Sequence, residues 1–237
     1  MVIDQNSCIG CGLCVPYCPT RAISMENKKA YIDLDKCVEC GNCRFSGVCK
    51  KDAIIQQTLV MPRLIRTVFS NVREKSPNTG VQGRGTEEMK TNDITNRFPV
   101  GKVGFACEMG RPSTGTSFLD VETIAKIVVG HGAELEPLNP TAIIFEEDNP
   151  GIIKEEFRNE RALSVIIEGM IEPEVLPELL KDLKEAQKKV DTVFSVDVIT
   201  PVVDGAIPTD KYLEEAGVSR RPNGKTCVGL GYMKEEV

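Results

Sequence analysis

The sequence predicts an α+β protein in two unlike parts: a small cysteine-rich domain, then a larger domain of βαββαβ order. Three observations predict it. Eight of the ten cysteines fall between positions 8 and 49. That segment repeats itself, with Cys8, Cys11 and Cys14 recurring as Cys37, Cys40 and Cys43 at a constant offset of 29. After Pro99, hydrophobic periods of two and of 3.6 residues alternate along the chain, as strands and helices require. The 237 residues are enough for one large or two modest domains. The expected bounds are 1–57 for the cysteine-rich domain, 58–98 for a connector, 99–205 for the βαββαβ domain and 206–237 for a loop-rich tail.

Cysteines at this density signal disulfides or metal. The N-terminus reads MVIDQNSC, with no basic start followed by an apolar core, so no secretory signal is expected and disulfides lose their usual setting. The expectation is a cytoplasmic protein. No apolar run approaches the roughly 20 residues of a membrane-spanning helix. Spacing then points to metal. The first copy reads Cys8-x2-Cys11-x2-Cys14-x3-Cys18-Pro19 and the second Cys37-x2-Cys40-x2-Cys43-x5-Cys49. Three cysteines at this spacing wrap a tight loop around one iron-sulfur cubane, each thiolate binding one iron. Gly10, Gly12 and Gly41 let the backbone approach and turn amide N–H groups toward the sulfurs. Paired zinc sites also use C-x2-C. Zinc, however, has no need of a third cysteine at the same spacing, twice over.

The segments CIGCGLCVPYCPTRAI and CVECGNCRFSGVCKKDAI resemble the bacterial-type two-[4Fe-4S] ferredoxins, and the resemblance covers about residues 2–56. It implies two [4Fe-4S] clusters whose fourth ligands cross between the copies. Cys8, Cys11, Cys14 and Cys49 would hold one, and Cys37, Cys40, Cys43 and Cys18 the other. Two departures bear on the second copy: five residues rather than three precede Cys49, and Lys50 stands where the family usually has proline. Both put the geometry at Cys49 in question, rather than the number of clusters.

In the connector, the stretch from Leu64 to Val72 reads as a short helix or strand, with the two alternatives open. Gly83-Arg84-Gly85 before Thr86-Glu87-Glu88 offers a loop at a helix start that could cradle an anion, with a flexible capped loop as the alternative. From Pro99 onward, Val103, Phe105, Cys107 and Met109 alternate as a strand. Val121, Ile124, Ala125 and Val128 follow as a helix, and Ala142 to Phe145 as a second strand. Leu163, Val165 and Ile167 form a third strand. Leu176, Leu179, Leu183, Ala186 and Val190 make a helical stripe, and Phe194, Val196 and Val198 a fourth strand. That order is the split βαβ plait, which resembles small ligand-binding modules such as ACT and NIL domains and pairs through sheet edges or faces, so a homo-oligomer is one expectation. The loop Gly110 to Ser117, with Arg111, Ser113 and Thr114, is the second candidate anion site, an ordinary turn being the alternative. Cys107 is expected buried. Cys227, beside Lys225, is expected exposed, and His131 reads as a helix cap.

The net charge is −6, and residues 99–237 carry fifteen Lys/Arg against twenty-five Asp/Glu, which argues against nucleic-acid binding. Residues 58–98 carry seven against four, a mildly basic stretch that reads as a solvated linker or a face for an acidic partner. The stretches GRGTEEMKTNDIT and FACEMGRPSTGT are similar to a family of anaerobe iron-sulfur proteins, some labelled 6-hydroxynicotinate reductase-like. The function expected is low-potential electron transfer, one electron at a time, to or from a partner redox enzyme in an anaerobic setting. Two alternatives stand beside it. One is a reductase component with its own substrate or flavin site, although no sequence motif indicates flavin. The other is a ligand-sensing or sulfur-handling protein built on the plait.

Overall fold

A computed structural model describes residues 1–75, 77, 80, 96–111 and 114–220. The first fifty-five residues form two interleaved halves. Strand β1 (Val2–Ile3) pairs antiparallel with β4 (Ile54–Ile55), and β2 (Ile23–Glu26) pairs antiparallel with β3 (Lys29–Ile32). The start of each copy is thus hydrogen-bonded to the end of the other. The β2–β3 turn, Asn27-Lys28, has both residues at positive φ, the conformation that a two-residue hairpin needs. The apolar core here is small, with Ala22, Ile23, Ala30, Ile32, Ala53 and Ile54 packed around buried cysteines. So little apolar burial gives little stability on its own, and metal ligation is the usual supplement.

The stretch from Leu64 resolves as helix α2 (Ile65–Ser70), α1 being the four-residue turn Asn42–Phe45. Although it lies in the expected connector, α2 is not a solvated linker. Ile65 and Phe69, one helical turn apart, are buried in the core of the following domain, and the Phe69 ring meets Phe118 edge-on at 5.6 Å.

The larger domain is built on a four-stranded sheet. Its strands are β5 (Val103–Met109), β7 (Glu134–Leu135), β9 (Val165–Ile171) and β10 (Phe194–Ile199), in the spatial order β10-β5-β9-β7, with every neighbouring pair antiparallel; beside it β6 (Thr116–Ser117) pairs antiparallel with β8 (Arg161–Ala162). Helices α3 (Phe118–Gly130) and α4 (Leu176–Ala186) follow β5 and β9. Val121, Ile124, Ala125 and Val128 of α3 and Leu176, Leu179, Leu183 and Ala186 of α4 are buried, matching the expected stripes; Val190 lies beyond α4, partly buried. Pro177 is accommodated in the first turn of α4, where no helical N–H bond is lost.

Three expectations need correction. The second strand of the sheet is Glu134–Leu135, not Ala142 to Phe145. Pro140–Ile143 forms a 3-10 turn instead, because Asn139 accepts a bond from the Thr141 N–H at 2.9 Å and Pro140 starts a helical turn readily. The third strand begins at Val165 and leaves Leu163 outside, since the Leu163 N–H goes to Ser70 Oγ at 2.8 Å. Finally, the stretch after residue 205 is not all loop. Helix α5 (Asp210–Glu215) buries Leu213 against the domain core. The face of β5 opposite the helices is also covered: Phe98 lies so close over Gly104 that an added Cβ would sit 2.7 Å from its ring.

Candidate metal centre

The duplication in the sequence becomes a duplication of hydrogen bonds. The Cys8 N–H donates to Asp4 O at 3.0 Å, and the Cys37 N–H to Asp33 O at 3.0 Å. The carboxylates of Asp4 and Asp33 accept from the N–H two residues on, at 3.0 and 2.9 Å, closing the same turn in each copy. At the far end, the Ala22 N–H donates to Cys18 Sγ at 3.1 Å and the Ala53 N–H to Cys49 Sγ at 3.3 Å. Arg21 and Asp52, each three residues after its cysteine, both adopt positive φ to make that contact. The two extra residues of the second copy are taken up between Cys43 and Cys49 by α1 and by Gly47 at φ 64°, where the first copy has the 3-10 turn Val15–Tyr17. The hydrogen bond at Cys49 therefore matches that at Cys18 despite the insertion and Lys50.

Gly10, Gly12 and Gly41 lie at φ 73°, 73° and 74°. At Gly10 a Cβ would sit 1.9 Å from the Lys28 carbonyl oxygen, so glycine is required for space as well as for backbone angle. The second copy places Glu39 at the equivalent left-handed position, buried, with its carboxylate accepting from Arg63 at 2.6 Å.

Burial raises the thiols of Cys14, Cys40 and Cys43, and their neighbours add to the rise. Burial raises the Cys14 pKa, and the charges of Cys11, Cys8 and Cys49 add to the rise. Burial pushes Cys43 up to about 12, with Cys40, Cys37 and Cys18 adding to it. Cys40 is likewise raised, first by burial and then by Cys37 and Cys18. Cys49 thus lies near the thiols of the first copy, and Cys18 near those of the second. Among the described residues, no three His, Cys, Asp or Glu side chains close around a single ion. A cubane, by contrast, takes one thiolate at each separate iron corner. Cys18, Cys37, Cys40 and Cys43 all line one small pocket, with Met1, Ile23, Ile32 and Val38 as apolar wall. The residues fit an iron-sulfur cluster on three counts: four thiols line one pocket, amide N–H groups already lie on Cys18 and Cys49 Sγ, and the thiols of Cys14, Cys40 and Cys43, raised by burial, would be held as thiolates by cationic iron. The first group is the more exposed. Cys8 and Cys14 are buried, as Cys37 and Cys43 are, but Cys11 is exposed where its counterpart Cys40 is half-buried, and Ile9 is 65% accessible.

Two arginines missed in the sequence reading hold the loop of the second group. Arg63 Nη1 donates to Leu34 O at 2.8 Å. Arg66, itself 5% exposed, donates through Nη1 to Leu34 O at 3.0 Å and to Cys37 O at 2.7 Å, while its Nε is bonded to the Glu160 carboxylate of the larger domain. The i,i+4 pair Ile65 and Phe69 was the available sign that this segment is a buried helix rather than linker.

The anion-site candidates are not assembled in the same way. Arg84 and Ser113 lie outside the described residues, as do Glu87, Glu88, Lys225 and Cys227. Arg111 is paired with Glu108 at 2.9 Å, and Thr114 Oγ1 donates to Gly110 O at 3.2 Å. The start of α3 is closed by its own residues: Ser117 Oγ accepts from the Asp120 N–H, and Asp120 supplies the negative charge. The loop does touch the metal centre. Gly115, at φ 83°, lies so near Thr20, two residues after Cys18, that a Cβ would be 3.2 Å from its methyl group. Cys107 is fully buried, and burial pushes its thiol up to about 12. His131 caps α3, with Nε2 2.8 Å from Asp182. No helix among the described residues is long and apolar enough to cross a membrane.

Comparison with known proteins converges on the same segment. Residues 1–24 match the family model of the 4Fe-4S binding domain. A "ferredoxin-like protein in vnf region" of Azotobacter chroococcum is 44% identical over 59 residues, 24% of this chain and 91% of the relative. Ferredoxin YfhL of Escherichia coli is 42% identical over 59 residues, 25% of this chain and 69% of its own length. Ferredoxin Fdx2 of Sorangium cellulosum is 33% identical over 97 residues, 40% of this chain and 89% of the relative. The chain therefore belongs, through its N-terminal segment, to the 4Fe-4S ferredoxins.

Proposed function

We propose that this protein relays single electrons at low potential through two [4Fe-4S] clusters, to or from a partner redox enzyme. In this reading the clusters are held by Cys8, Cys11, Cys14 and Cys49 and by Cys18, Cys37, Cys40 and Cys43. A bound cluster supplies a one-electron redox change with little movement of the protein. The chain's own part is to present thiolates, to place N–H donors on Cys18 and Cys49, and to wall the second group from water with Ile23, Ile32 and Val38. The observation that supports the reading is the matching pair of N–H···S bonds at Cys18 and Cys49, each beside thiols of the other copy.

We read residues 99–205 as a split βαβ plait, on the strand order fourth-first-third-second with helices after the first and third strands. Its part in the relay is to back the second cluster, through Glu160, which holds Arg66, and through Gly115. A relay is favoured over a reductase site of the chain's own because Arg111 and Thr114 are engaged with Glu108 and Gly110. The test is anaerobic purification with iron and sulfide analysis, then EPR of the dithionite-reduced protein. About eight irons per chain, by cluster stoichiometry, and a spin-coupled signal are expected. About four irons, or one uncoupled signal, would overturn the two-cluster reading.

A further inference from the structure

One contact between the two domains is a buried ion pair. Arg66 lies on α2, its guanidinium bonded on one side to the carbonyls of Leu34 and Cys37 and on the other to Glu160, ninety-four residues on. Both side chains are shielded, at 6% and 10% accessibility. The positive end of the pair faces the loop that starts the second cysteine set, and the negative end faces the larger domain. A pair that is neutral overall still has a direction, and burial keeps water from screening it.

We propose that the Arg66–Glu160 pair tunes the reduction potential of the cluster held by Cys18, Cys37, Cys40 and Cys43, so that the larger domain sets that potential through Glu160. The inference rests on the two-cluster reading. One-electron reduction adds a negative charge to a cluster, and a nearer positive charge favours the reduced form. With both partners present the guanidinium is the nearer, and the pair raises the potential. Removal of Arg66 leaves the buried carboxylate alone, which lowers it. Removal of Glu160 leaves the guanidinium unneutralised, which raises it further. The cation at the first set is Lys29, whose Nζ donates to the carbonyls of Cys8 and Gln5; it lies within residues 1–57 and stays constant across the variants. The neighbouring pair Arg63–Glu39 also faces the second loop but is contained within residues 1–63, and it stays constant across the variants. Arg66 and Glu160 are positioning residues on this view: neither binds iron.

A merely structural strut makes a different prediction. Breaking it from either end would loosen the same loop and move the cluster in the same direction. The experiment is an EPR-monitored potentiometric titration of the full-length holoprotein as wild type, Arg66→Gln, Glu160→Gln and the double variant, with iron content measured for each. The expected result is one potential that falls in Arg66→Gln, rises in Glu160→Gln and lies between them in the double variant, while the other stays in place. Shifts of the same sign from both single variants, or none in protein that retains all its iron, would overturn the inference. If Arg66→Gln loses a cluster, Glu160→Gln decides alone: a potential that rises supports the inference, and one that stays or falls overturns it. A wild type with about four irons is a separate failure, that of the two-cluster reading itself.

Discussion

Gly10 and Gly47 are both left-handed, at φ 73° and 64°, yet a methyl group should affect them very differently. At Gly47 a Cβ meets nothing within 4 Å. Gly47→Ala then costs only the backbone term for an L-residue in that region, about 1 kcal/mol. At Gly10 the same Cβ sits 1.9 Å from the Lys28 carbonyl oxygen and 3.0 Å from its carbon. Backbone cannot swing aside as a side chain can. Either the Cys8–Cys11 loop or the tip of the β2–β3 hairpin must move, which adds an overpacking cost of about 1–3 kcal/mol. The movement also strains the contact between the Ala30 N–H and Cys8 Sγ, 3.5 Å long. The assay is the rate of cluster bleaching by an iron chelator under anaerobic conditions, followed by visible absorbance, since loss of metal makes equilibrium unfolding a poor measure. At tenfold per 1.4 kcal/mol, Gly47→Ala should bleach about fivefold faster than wild type and Gly10→Ala about 30- to 700-fold faster. Equal rates for the two variants would refute the steric argument and leave only the backbone angle.

Further outcomes follow from the same geometry. The Ser7 hydroxyl and Asn6 N–H hold the Asp4 carboxyl below its ordinary 3.8, and the Lys36 N–H and ammonium with the Asp35 N–H do the same for Asp33. The stability these carboxylates contribute is present above pH 3.8 and is lost as pH falls through their lower folded values. Asp4→Asn and Asp33→Asn should therefore bleach faster than wild type at neutral pH, with the gap closing in acid; a gap independent of pH would sink this. Cys107, buried in β5 with its thiol pushed up to about 12, should resist iodoacetamide at pH 8 in the folded protein and react once unfolded, as read by mass spectrometry. Phe69→Ala removes a buried ring and its edge contact with Phe118, and should cost about 3–5 kcal/mol in the larger domain, seen as a lowered thermal midpoint by circular dichroism. An unchanged midpoint would mean that α2 is a tether rather than part of that core.

The strands and helices with long, regular periods were legible before any coordinates. The alternation at Val103 to Met109 and the stripe at Leu176 to Ala186 each follow from one face being apolar, and both recur as β5 and α4. The short segment Ala142 to Phe145 misled because four apolar residues suit a buried strand and a 3-10 turn equally well. What decided it was Asn139 and Pro140 just upstream, through a capping bond rather than hydrophobicity. At the metal centre the gap after Cys43 left doubt about Cys49. A helical turn absorbs the extra residues there, and the bond from Ala53 matches the one from Ala22.

Residue spacing determined the chelating loops, because three thiols on seven consecutive residues can be oriented by local backbone turns alone. The glycines at 10, 12 and 41 follow from the same local geometry. The crossing of Cys18 and Cys49 between copies depends on β1 meeting β4 and β2 meeting β3, a pairing of distant segments. The joining of the two domains lies further still beyond spacing. Arg66 is one of seven basic residues in a stretch that reads as solvated. Its burial between the Cys37 carbonyl and Glu160 exists only once Ile65 and Phe69 have docked in the larger core. A side chain's charge is written in the sequence, but whether water or another domain surrounds that charge is decided by packing.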